Sequence, residues 1–446
     1  MRYIPITEEE KAEMLRDIGV SSTDELFADI PEAVRLKRPL DLPAPRSEME
    51  ILAEMRRLAG KNAHTGDHVC FLGGGAYDHY VPAVVDAIVR RGEFLTAYTP
   101  YQPEISQGVL QSIYEYQTMI CELTGMDVAN ASMYDGASAM AEAAVMAIGT
   151  TGRRRVVAAR SVHPDYRQAI RTYTHGLGAE VVEAPIADGV TDLAALEPLI
   201  TAETAAVMVQ MPNFFGALEP VRQIGELAHR VDALFVVAVD PISLGVLEAP
   251  GNYGADIVVG EGQALGQPVS FGGPWLGMMA TRQELVRRLP GRIAGATVDA
   301  QGRRGFVLTL QAREQHIRRE KATSNICTNQ ALNALAATVY LSWLGKKGLQ
   351  DVARQCLQKA HYAWERITAL PGWEPAFRAP FFKEFTVRSP VRPEVVNRHL
   401  LDRGILGGLS PSGAYPELAG AMIFAVTEKR TRAEIDGLVA ALREVK

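Results

Sequence analysis

The strongest constraint on the fold is an alternation of short apolar runs and amphipathic stretches between about residues 130 and 281. This pattern is typical of a mainly parallel sheet with helices on both faces. We therefore predict an α/β fold with a mainly parallel, seven-stranded sheet, whose ligands would bind at the carboxyl ends of the strands. The predicted strands lie near residues 131–133, 155–159, 180–184, 205–211, 234–239, 256–259 and 276–280.

Three regions of the chain differ in pattern, and we predict a domain for each. Residues 1–60 are charged, helical in pattern and poor in core residues, so they form a predicted N-terminal arm that packs on something else. Residues 61–335 form the predicted large α/β domain, and residues 336–446 a smaller C-terminal α+β domain. With 47% hydrophobic and 22% charged residues, the composition is that of a globular protein with a large core.

Charge and cysteine usage exclude several classes of partner. The net charge of −6 argues against a nucleic-acid or anionic-membrane partner, which would require a basic face. There is no run of 18 apolar residues, so we expect no membrane span. The cysteines contain no Cys-x-x-Cys pair, which predicts reduced thiols in a cytoplasmic protein without a metal site. They are Cys70, Cys121, Cys327 and Cys356.

Polar residues follow several of the predicted strands. Asp240 follows an apolar run, where a carboxylate can pair with a ring nitrogen, a metal or a ribose, or can be a turn residue before Pro241. His163 is either a ring-stacking group or an ordinary helix-start histidine. The turn from Asp135 to Ser138 leads into a helix whose free amides attract a phosphate, although Asp135 equally fits a plain N-cap.

A phosphate turn, a stacking histidine and a pyridinium carboxylate in this order resemble the large domain of the aspartate-aminotransferase-like (fold type I) pyridoxal-phosphate enzymes. In those enzymes a lysine one strand after the aspartate holds the cofactor as a Schiff base. Here Gln263 stands at that place, in "DIVVGEGQALGQPVSFGGPWLG", and a glutamine amide cannot form this bond. No lysine occurs from residue 62 to 320, so no amine of the sheet domain can take over. We therefore predict a degenerate pocket with Ser138, His163, Asp240 and Gln263 as its relics.

The segment "YTPYQPEISQG" contains prolines that prevent a helix, and it is dense in polar side chains. It is either a structural loop or a binding loop for a small polar substrate. For the second interpretation we select Tyr98, Tyr101, Gln102 and Ser106. Nearby, Gly73–Gly75 lack the full dinucleotide-binding pattern and are interpreted as allowing close backbone approach near the cleft.

Longer motifs carry a more specific resemblance. The stretches "YTPYQPEISQG", "YQTMICELTGMDVANASMYDGASAMAEA", "FGALEP" and "EKATSNICTNQAL" closely resemble the glycine-cleavage-system P protein. The match is to its N-terminal half, which in many bacteria and archaea is a separate subunit, and it covers nearly the whole chain. It implies that the lysine and its cofactor belong to subunit 2. This chain would then be a diverged copy of the fold that shares an active site where the two subunits meet.

The resemblance also implies a reaction and its partners. Glycine would lose CO2 with pyridoxal phosphate, bound covalently by the partner, as the electron sink. The aminomethyl group would then pass to the lipoyl arm of the H protein. The implied partners are glycine dehydrogenase subunit 2, lipoylated H protein and glycine, in a cytoplasmic heterotetramer with two copies of each subunit.

A role for "REKATSNICTNQ" follows from the same resemblance. In dimers of this fold, a segment after the lysine position often donates hydrogen bonds to the neighbour's cofactor phosphate. Thr323, Ser324 and Asn325 suit that role as hydroxyl and amide donors near a helix start. Alternatively, they are the N-cap of a helix that begins at Thr328.

Two other functions stay open on sequence alone. The chain could be a self-sufficient pyridoxal-phosphate enzyme that uses a distant lysine, such as Lys61 or Lys321. It could also be a non-catalytic scaffold or regulator that has kept the fold. A visible cofactor absorbance in the purified chain would indicate the first, and full partner activity without this chain would indicate the second.

Overall fold

A computed structural model describes residues 5–311, 315–326 and 328–445 of the protein. The chain divides into two compact units, of which the first ends at Ala63 and the second begins at His64. The first unit holds helices α1 (Glu8–Ile18) and α2 (Glu48–Ala59), each of which starts with a capping box. None of residues 5–63 is buried, so this unit has no core of its own.

The second unit contains the remaining elements. Its strands are, in chain order, β1 (Val69–Cys70), β2 (Val128–Ala129), β3 (Arg155–Ala159), β4 (Glu180–Ala184), β5 (Ile186–Ala187), β6 (Val190–Thr191), β7 (Thr204–Met211), β8 (Leu234–Val239), β9 (Ile257–Glu261), β10 (Gly277–Thr281), β11 (Ile293–Val298), β12 (Arg304–Thr309), β13 (Glu374–Pro375), β14 (Glu384–Arg388), β15 (Ile405–Leu406) and β16 (Ala421–Ala425). Its α-helices are α3 (Ala83–Val89), α4 (Gly92–Leu95), α5 (Gln107–Thr124), α6 (Gly136–Thr151), α7 (Pro164–His175), α8 (Leu193–Leu196), α9 (Val221–His229), α10 (Gln315–Arg318), α11 (Ala331–Thr368), α12 (Pro393–Leu401) and α13 (Arg432–Glu444).

The central sheet has seven strands in the order β2-β10-β9-β8-β7-β3-β4. Strands β9, β8, β7, β3 and β4 run parallel, and β10 runs antiparallel to both of its neighbours. The predicted mainly parallel seven-stranded sheet is therefore confirmed. The first strand, predicted near 131–133, lies slightly earlier, since β2 ends at Ala129. The amide of Ala131 donates to the carbonyl oxygen of Arg292 at 2.8 Å, and at Met133 the chain pairs with the sheet again through an isolated bridge to Gly277.

Close packing of α6 on the sheet brings the start of this helix to the strand ends. The helix is rich in alanine, and Ala139, Ala143 and Ala147 are fully buried in the main core. Gly277 in β10 also permits the approach, because a Cβ there would lie 2.5 Å from the carbonyl oxygen of Asp135. The amino end of α6 thus lies at the edge of the sheet where ligands of this fold class bind.

A second core lies in the C-terminal part of this unit. Strands β13, β14 and β16 form an antiparallel sheet, and α12, α13 and the end of α11 pack around Trp373, Phe385 and Phe424. Strand β1 pairs with β15 beside it. Helix α11 spans the predicted boundary at 335/336 and has a non-helical backbone at Gly345 (φ 58°, ψ −177°). The division into 1–60, 61–335 and 336–446 remains a prediction.

Two expectations from composition can be compared with these coordinates. Within the described ranges, every helix is too short or too polar to cross a bilayer. Cys70 and Cys356 are buried free thiols, and Cys121 is a half-buried free thiol. Cys327 lies outside the described residues.

Candidate functional site

The four predicted relic residues lie around the carboxyl ends of β8 and β9 and the starts of α6 and α7. Asp240 directly follows β8, and Gln263 follows β9. Ser138 lies in the first turn of α6, and His163 is the N-cap residue of α7. The fold therefore brings together residues that are up to 125 positions apart in the chain.

The start of α6 already holds carboxylates where a phosphate would dock. Asp135 Oδ1 accepts the amide of Ser138 at 2.7 Å, and the Ser138 hydroxyl accepts the amide of Asp135 at 3.1 Å, which completes a capping box. Glu261 Oε2 accepts the amide of Gly136 at 2.9 Å. A phosphate dianion would thus meet two carboxylates instead of free amide donors.

Glu261 is held tightly at this position. Its other oxygen, Oε1, accepts the amides of Gln263 at 3.1 Å and Leu276 at 3.0 Å. Burial raises the pKa of Glu261 to about 7, against these amide hydrogen bonds, which lower it. The carboxyl group is therefore an internal ligand of the helix start.

Asp240, the predicted partner of a ring nitrogen, is paired with a lysine from the C-terminal part of the chain. Lys383 Nζ lies 2.6 Å from Asp240 Oδ2 and 3.0 Å from His79 Nε2. It also lies 3.5 Å from the centroid of the Tyr77 ring, in cation–π contact. The Lys383 residue is only 2% exposed. The ammonium thus supplies the positive charge that a protonated pyridine nitrogen would bring to this aspartate.

Gln263, at the expected lysine position, is bound to the chain itself. Its Oε1 accepts the amide of Tyr77 at 2.9 Å, and its Nε2 donates to the Tyr77 carbonyl oxygen at 3.0 Å. A further hydrogen bond runs from Nε2 to the carbonyl oxygen of Gln267 at 2.8 Å. This two-way pairing holds the segment that ends at Tyr77 beside the pocket.

His163 is also satisfied within the chain. Its Nδ1 accepts the amide of Asp165 at 3.1 Å, so the proton lies on Nε2, which donates to the carbonyl oxygen of Gly74 at 2.9 Å. Burial lowers the pKa of His163, which favours this neutral form. The ring also contacts Tyr166 and Phe214, with centroids 5.2 Å and 5.0 Å away.

Between Asp240, Tyr77 and Lys383 a cavity of only about 30 Å³ remains, room for about two water molecules. Glu384 borders it and accepts the Tyr77 hydroxyl at 2.6 Å and the Gly74 amide at 2.7 Å. A separate cavity of about 370 Å³ lies at the start of α6 and is lined by Asp135, His163 and Glu261 among others. Burial raises the pKa of Glu384 to about 7. Asp240 is paired with Lys383, the start of α6 is bound by Glu261, and the lysine position is held by Gln263. For these reasons the pocket does not fit pyridoxal phosphate.

Behind Lys383 lies a buried cluster of metal-ligand types. The ligand atoms of His79, Cys356 and Glu428 lie within 4.8 Å of one another. His79 Nδ1 donates to Glu428 Oε2 at 2.6 Å, and its other nitrogen accepts from Lys383. Although burial raises the pKa of Glu428, the contact with His79 holds it down to about 2. These contacts pair the charges of the cluster within the chain.

The predicted loop residues lie beside the segment that leads into α11. The Tyr98 hydroxyl is 3.0 Å from Thr328 Oγ1, and Tyr98 is 70% exposed. Arg292 donates to the Tyr101 hydroxyl at 2.7 Å and lies 5.2 Å from the centroid of that ring. Two further predicted residues follow in the same loop, the exposed Gln102 and the half-buried Ser106.

The segment Thr323–Asn325 does not start a helix. The prediction of a helix from Thr328 is wrong, because α11 begins at Ala331 and its cap residue, Gln330, makes no side-chain capping bond. Ser324 donates its hydroxyl to Glu142 Oε1 at 2.7 Å. The interpretation of the three residues as an N-cap is therefore excluded, and so is the argument that they offer helix-start amides.

Four residues of the pocket were not among the predicted ones: Tyr77, Glu261, Lys383 and Glu384. Glu261 had a local signal, since it is a carboxylate at the end of the apolar strand "DIVVGE". Lys383 lies in "PFFKEFTV", where two charges inside an apolar run indicate buried ions. No local pattern indicates that Tyr77 meets Gln263, because that contact depends on the tertiary fold.

Similar solved structures define the class of protein. The chain superposes on a sphingosine-1-phosphate lyase of Burkholderia pseudomallei with a TM-score of 0.66 and 17% identity, covering 93% of this chain and 94% of that one. For a NifS-like protein the TM-score is 0.63 and the identity 13%, covering 85% of this chain and 99% of that one. This is the fold of the fold type I pyridoxal-phosphate enzymes, as predicted.

Closer relatives show the family. The family described as "Glycine cleavage system P-protein" matches residues 1–442. A "Probable glycine dehydrogenase (decarboxylating) subunit 1" of Carboxydothermus hydrogenoformans is 61% identical, and one of Desulforamulus reducens 58%, each over 99% of both chains. A crystal structure of "glycine decarboxylase (P-protein) of the glycine cleavage system, in inhibitor-bound form" is 50% identical, with a TM-score of 0.92 and full coverage of both chains. The chain belongs to the glycine cleavage system P-protein family, which confirms the predicted resemblance.

Proposed function

We propose that this chain is the subunit of a glycine decarboxylase that does not hold the cofactor, and that it acts only with a second subunit that does. The relatives that are named subunit 1 imply such a partner. The observation that carries the proposal is the Lys383–Asp240 ion pair, because it satisfies the carboxylate that would otherwise pair with a cofactor ring nitrogen. Pyridoxal phosphate, bound covalently by the partner, supplies the electron sink for loss of CO2 from glycine.

The contribution of this chain to the shared cleft lies in its exposed polar groups. Tyr98 and Tyr101 present phenol hydroxyls on a loop held by Thr328 and Arg292, so their positions are defined before a substrate arrives. Gln102 and Ser106, in the same loop, add an amide and a hydroxyl. We propose that these groups line the cleft and orient glycine or the cofactor of the partner.

We further propose that Thr323, Ser324 and Asn325 support the phosphate of the partner's cofactor. The support is chemical, since the Thr323 hydroxyl and the Asn325 amide can converge on a phosphate from an irregular segment without a helix start, while Ser324 holds the segment through Glu142. The Thr328 contact to Tyr98, shortly after this segment in the chain, supports a position near the loop. Two subunits around one cleft also leave an entrance for the lipoyl arm of the H protein. We expect two copies of each subunit, in the cytoplasm, without nucleic-acid or membrane partners.

The test is to purify the chain alone and together with subunit 2, and to measure cofactor content and glycine–bicarbonate exchange for each. We expect the chain alone to carry no borohydride-stable adduct and no activity, and the pair to have both. A borohydride-stable adduct mapped to any lysine of this chain would contradict the proposal. Full exchange activity of subunit 2 by itself would show instead that this chain is a scaffold or regulator.

A further inference from the structure

Glu142 is a buried carboxylate in the middle of α6 that the filled pocket does not use. It is 5% exposed, and its Oε1 accepts the hydroxyl of Ser324 at 2.7 Å. Burial raises the pKa of Glu142 to about 6, although the Ser324 hydrogen bond lowers it, so the group is mostly ionised above neutral pH. An ionised carboxylate only accepts hydrogen bonds, which means that the Ser324 proton points at Glu142.

The Ser324 oxygen is engaged from the other side as well. It accepts the amide of Ile326 at 3.1 Å, and Ile326 is buried at 6% exposure. One serine therefore ties an irregular stretch of backbone to the rigid helix α6. Since a serine hydroxyl has a single proton, Ser324 has none left for a second acceptor.

Its two neighbours have free donors. Among the described residues, the Thr323 hydroxyl and the amide NH2 of Asn325 have no hydrogen-bond partner. The Asn325 Oδ1 accepts from Gln315 Nε2 at 3.2 Å, which leaves its donor side outward. Ser324 thus anchors the segment to α6, and Thr323 and Asn325 have hydrogen-bond donors available for a ligand.

We infer that Glu142 is a positioning residue of the shared active site. By holding Ser324, it fixes the segment so that Thr323 and Asn325 present their donors to the phosphate of the partner's cofactor. Ser324 itself contributes through this tether and not through a contact with the phosphate. The inference rests on the proposed function, because it requires that the segment faces the partner's cofactor.

Three variants of the full-length chain test the tether: Glu142→Leu, which keeps the volume but cannot accept; Glu142→Gln, which can still bond to the hydroxyl; and Ser324→Ala. Hydrogen exchange at the Ile326 amide reports on the segment without any cofactor. We expect Glu142→Leu and Ser324→Ala each to speed this exchange about tenfold, with no further increase in the double variant. Glu142→Gln should stay within about twofold of the parent, a rescue that loss of packing would not give.

The same variants, assembled with subunit 2, are then titrated with pyridoxal phosphate. Glu142→Leu and Ser324→Ala should weaken cofactor affinity about three- to tenfold, and Glu142→Gln should not. Thr323→Ala is the matched control, since it should weaken the cofactor while leaving Ile326 exchange unchanged.

The possible failures are distinguishable. Unchanged Ile326 exchange in Glu142→Leu, or additive effects in the double variant, would overturn the tether. If Thr323→Ala weakens the cofactor but Glu142→Leu does not, the positioning role is wrong and the proposed phosphate contact stands. If none of the replacements changes cofactor affinity, the proposed contact fails, and this inference fails with it.

Discussion

At the residue scale, each buried charge of the relic pocket has a partner within the chain. Asp240 has the Lys383 ammonium, Glu261 has three backbone amides, and Glu384 has the Tyr77 hydroxyl and an amide. A buried charge without such a partner would cost several kcal/mol. Removing one member of a pair should therefore lower the free energy of unfolding, and the size of the loss measures the contribution of that pair.

The first prediction concerns Lys383→Met, which keeps the length of the side chain but removes its charge. Asp240 would remain buried without its partner, so we expect a loss of about 3–5 kcal/mol in the free energy of unfolding. Adding Asp240→Asn should recover a large part of that loss. Thermal melting of the two single variants and the double variant measures the coupling.

Arg354→Met is the matched control for this prediction. Arg354 pairs with Asp351 at 2.9 Å, but both side chains are more than half exposed. Its removal should therefore change stability by at most about 1 kcal/mol. If the Lys383 and Asp240 variants are additive, the ion pair is not what stabilises the pocket.

The second prediction concerns pH and Glu384. Its pKa is raised from 4.5 in the unfolded chain to about 7 in the folded one, chiefly by burial. The folded chain therefore keeps this proton between pH 4.5 and 7 while the unfolded chain releases it, so the group lowers stability as pH rises through that window. Glu384→Gln lacks this titration and can still bond to Tyr77 and the Gly74 amide.

We expect the stability of Glu384→Gln, relative to the parent, to rise by about 1–3 kcal/mol from pH 5 to pH 8. Melting curves of both proteins at the two pH values provide the measurement. A difference between variant and parent that does not change with pH would mean that Glu384 is ionised throughout.

At the element scale, the segment between α10 and α11 is the part of this chain that we propose contacts the phosphate of the partner's cofactor. Alanine at Thr323, Ser324 and Asn325 together should lower the cofactor affinity of the assembled enzyme about tenfold or more, because two charge-assisted donors and the Ser324 tether are lost. Helix α11 begins at Ala331 and should keep its structure, whereas loss of the Ser324 hydroxyl leaves the buried Glu142 without its donor, so we expect a modest fall in melting temperature. Subunit association and melting are measured beside cofactor affinity, and a triple variant that binds the cofactor as the parent does would refute the assignment.

The elements also show what sequence patterns can and cannot predict. Apolar runs such as that of β8 predicted the central strands well, because a strand buried on both faces must be apolar along its length. The bounds of the edge strand β2 were less predictable, since the backbone at Ala131 bonds to Arg292 while Met133 bridges to Gly277, and such distant partners are not visible in the local sequence. The start of α11 was misjudged for a similar reason: Gln330 makes no side-chain cap, so the capping signal on which such predictions depend is missing.

The pocket itself was predictable only in part. The positions of Asp240 and Gln263 after their strands could be predicted from chain order, because strand order and strand ends follow from pattern. Their partners could not be predicted, because Lys383 lies 143 residues from Asp240 in sequence and Tyr77 lies 186 residues from Gln263. The absence of a lysine from the sheet domain could be seen in the sequence. The ion pair of Lys383 with Asp240 could not.

At the scale of the whole molecule, restoring the lost lysine should not restore an active site. In Gln263→Lys we expect no covalent cofactor and no decarboxylation of glycine by the chain alone, because Tyr77, Lys383 and Glu261 still occupy the space. The variant should also melt lower than the parent, since the pairing with the Tyr77 backbone is lost.

Borohydride treatment with pyridoxal phosphate, followed by peptide mass spectrometry, gives the readout. Gln263→Met serves as the control for packing, because it removes the same hydrogen bonds without adding an amine. An adduct at position 263 of the lysine variant would show that the lysine was the only defect.

The burial of Lys383 has a practical consequence for anyone mapping the assembly with amine-reactive cross-linkers. Such reagents need an ammonium group in contact with solvent. No lysine occurs from residue 62 to 320, and Lys383 is 2% exposed. A cross-link map of the complex would therefore be blank across the entire central sheet, however closely another protein approached it. Reagents directed at carboxylates or arginines would be needed before a blank region could be interpreted as a free surface.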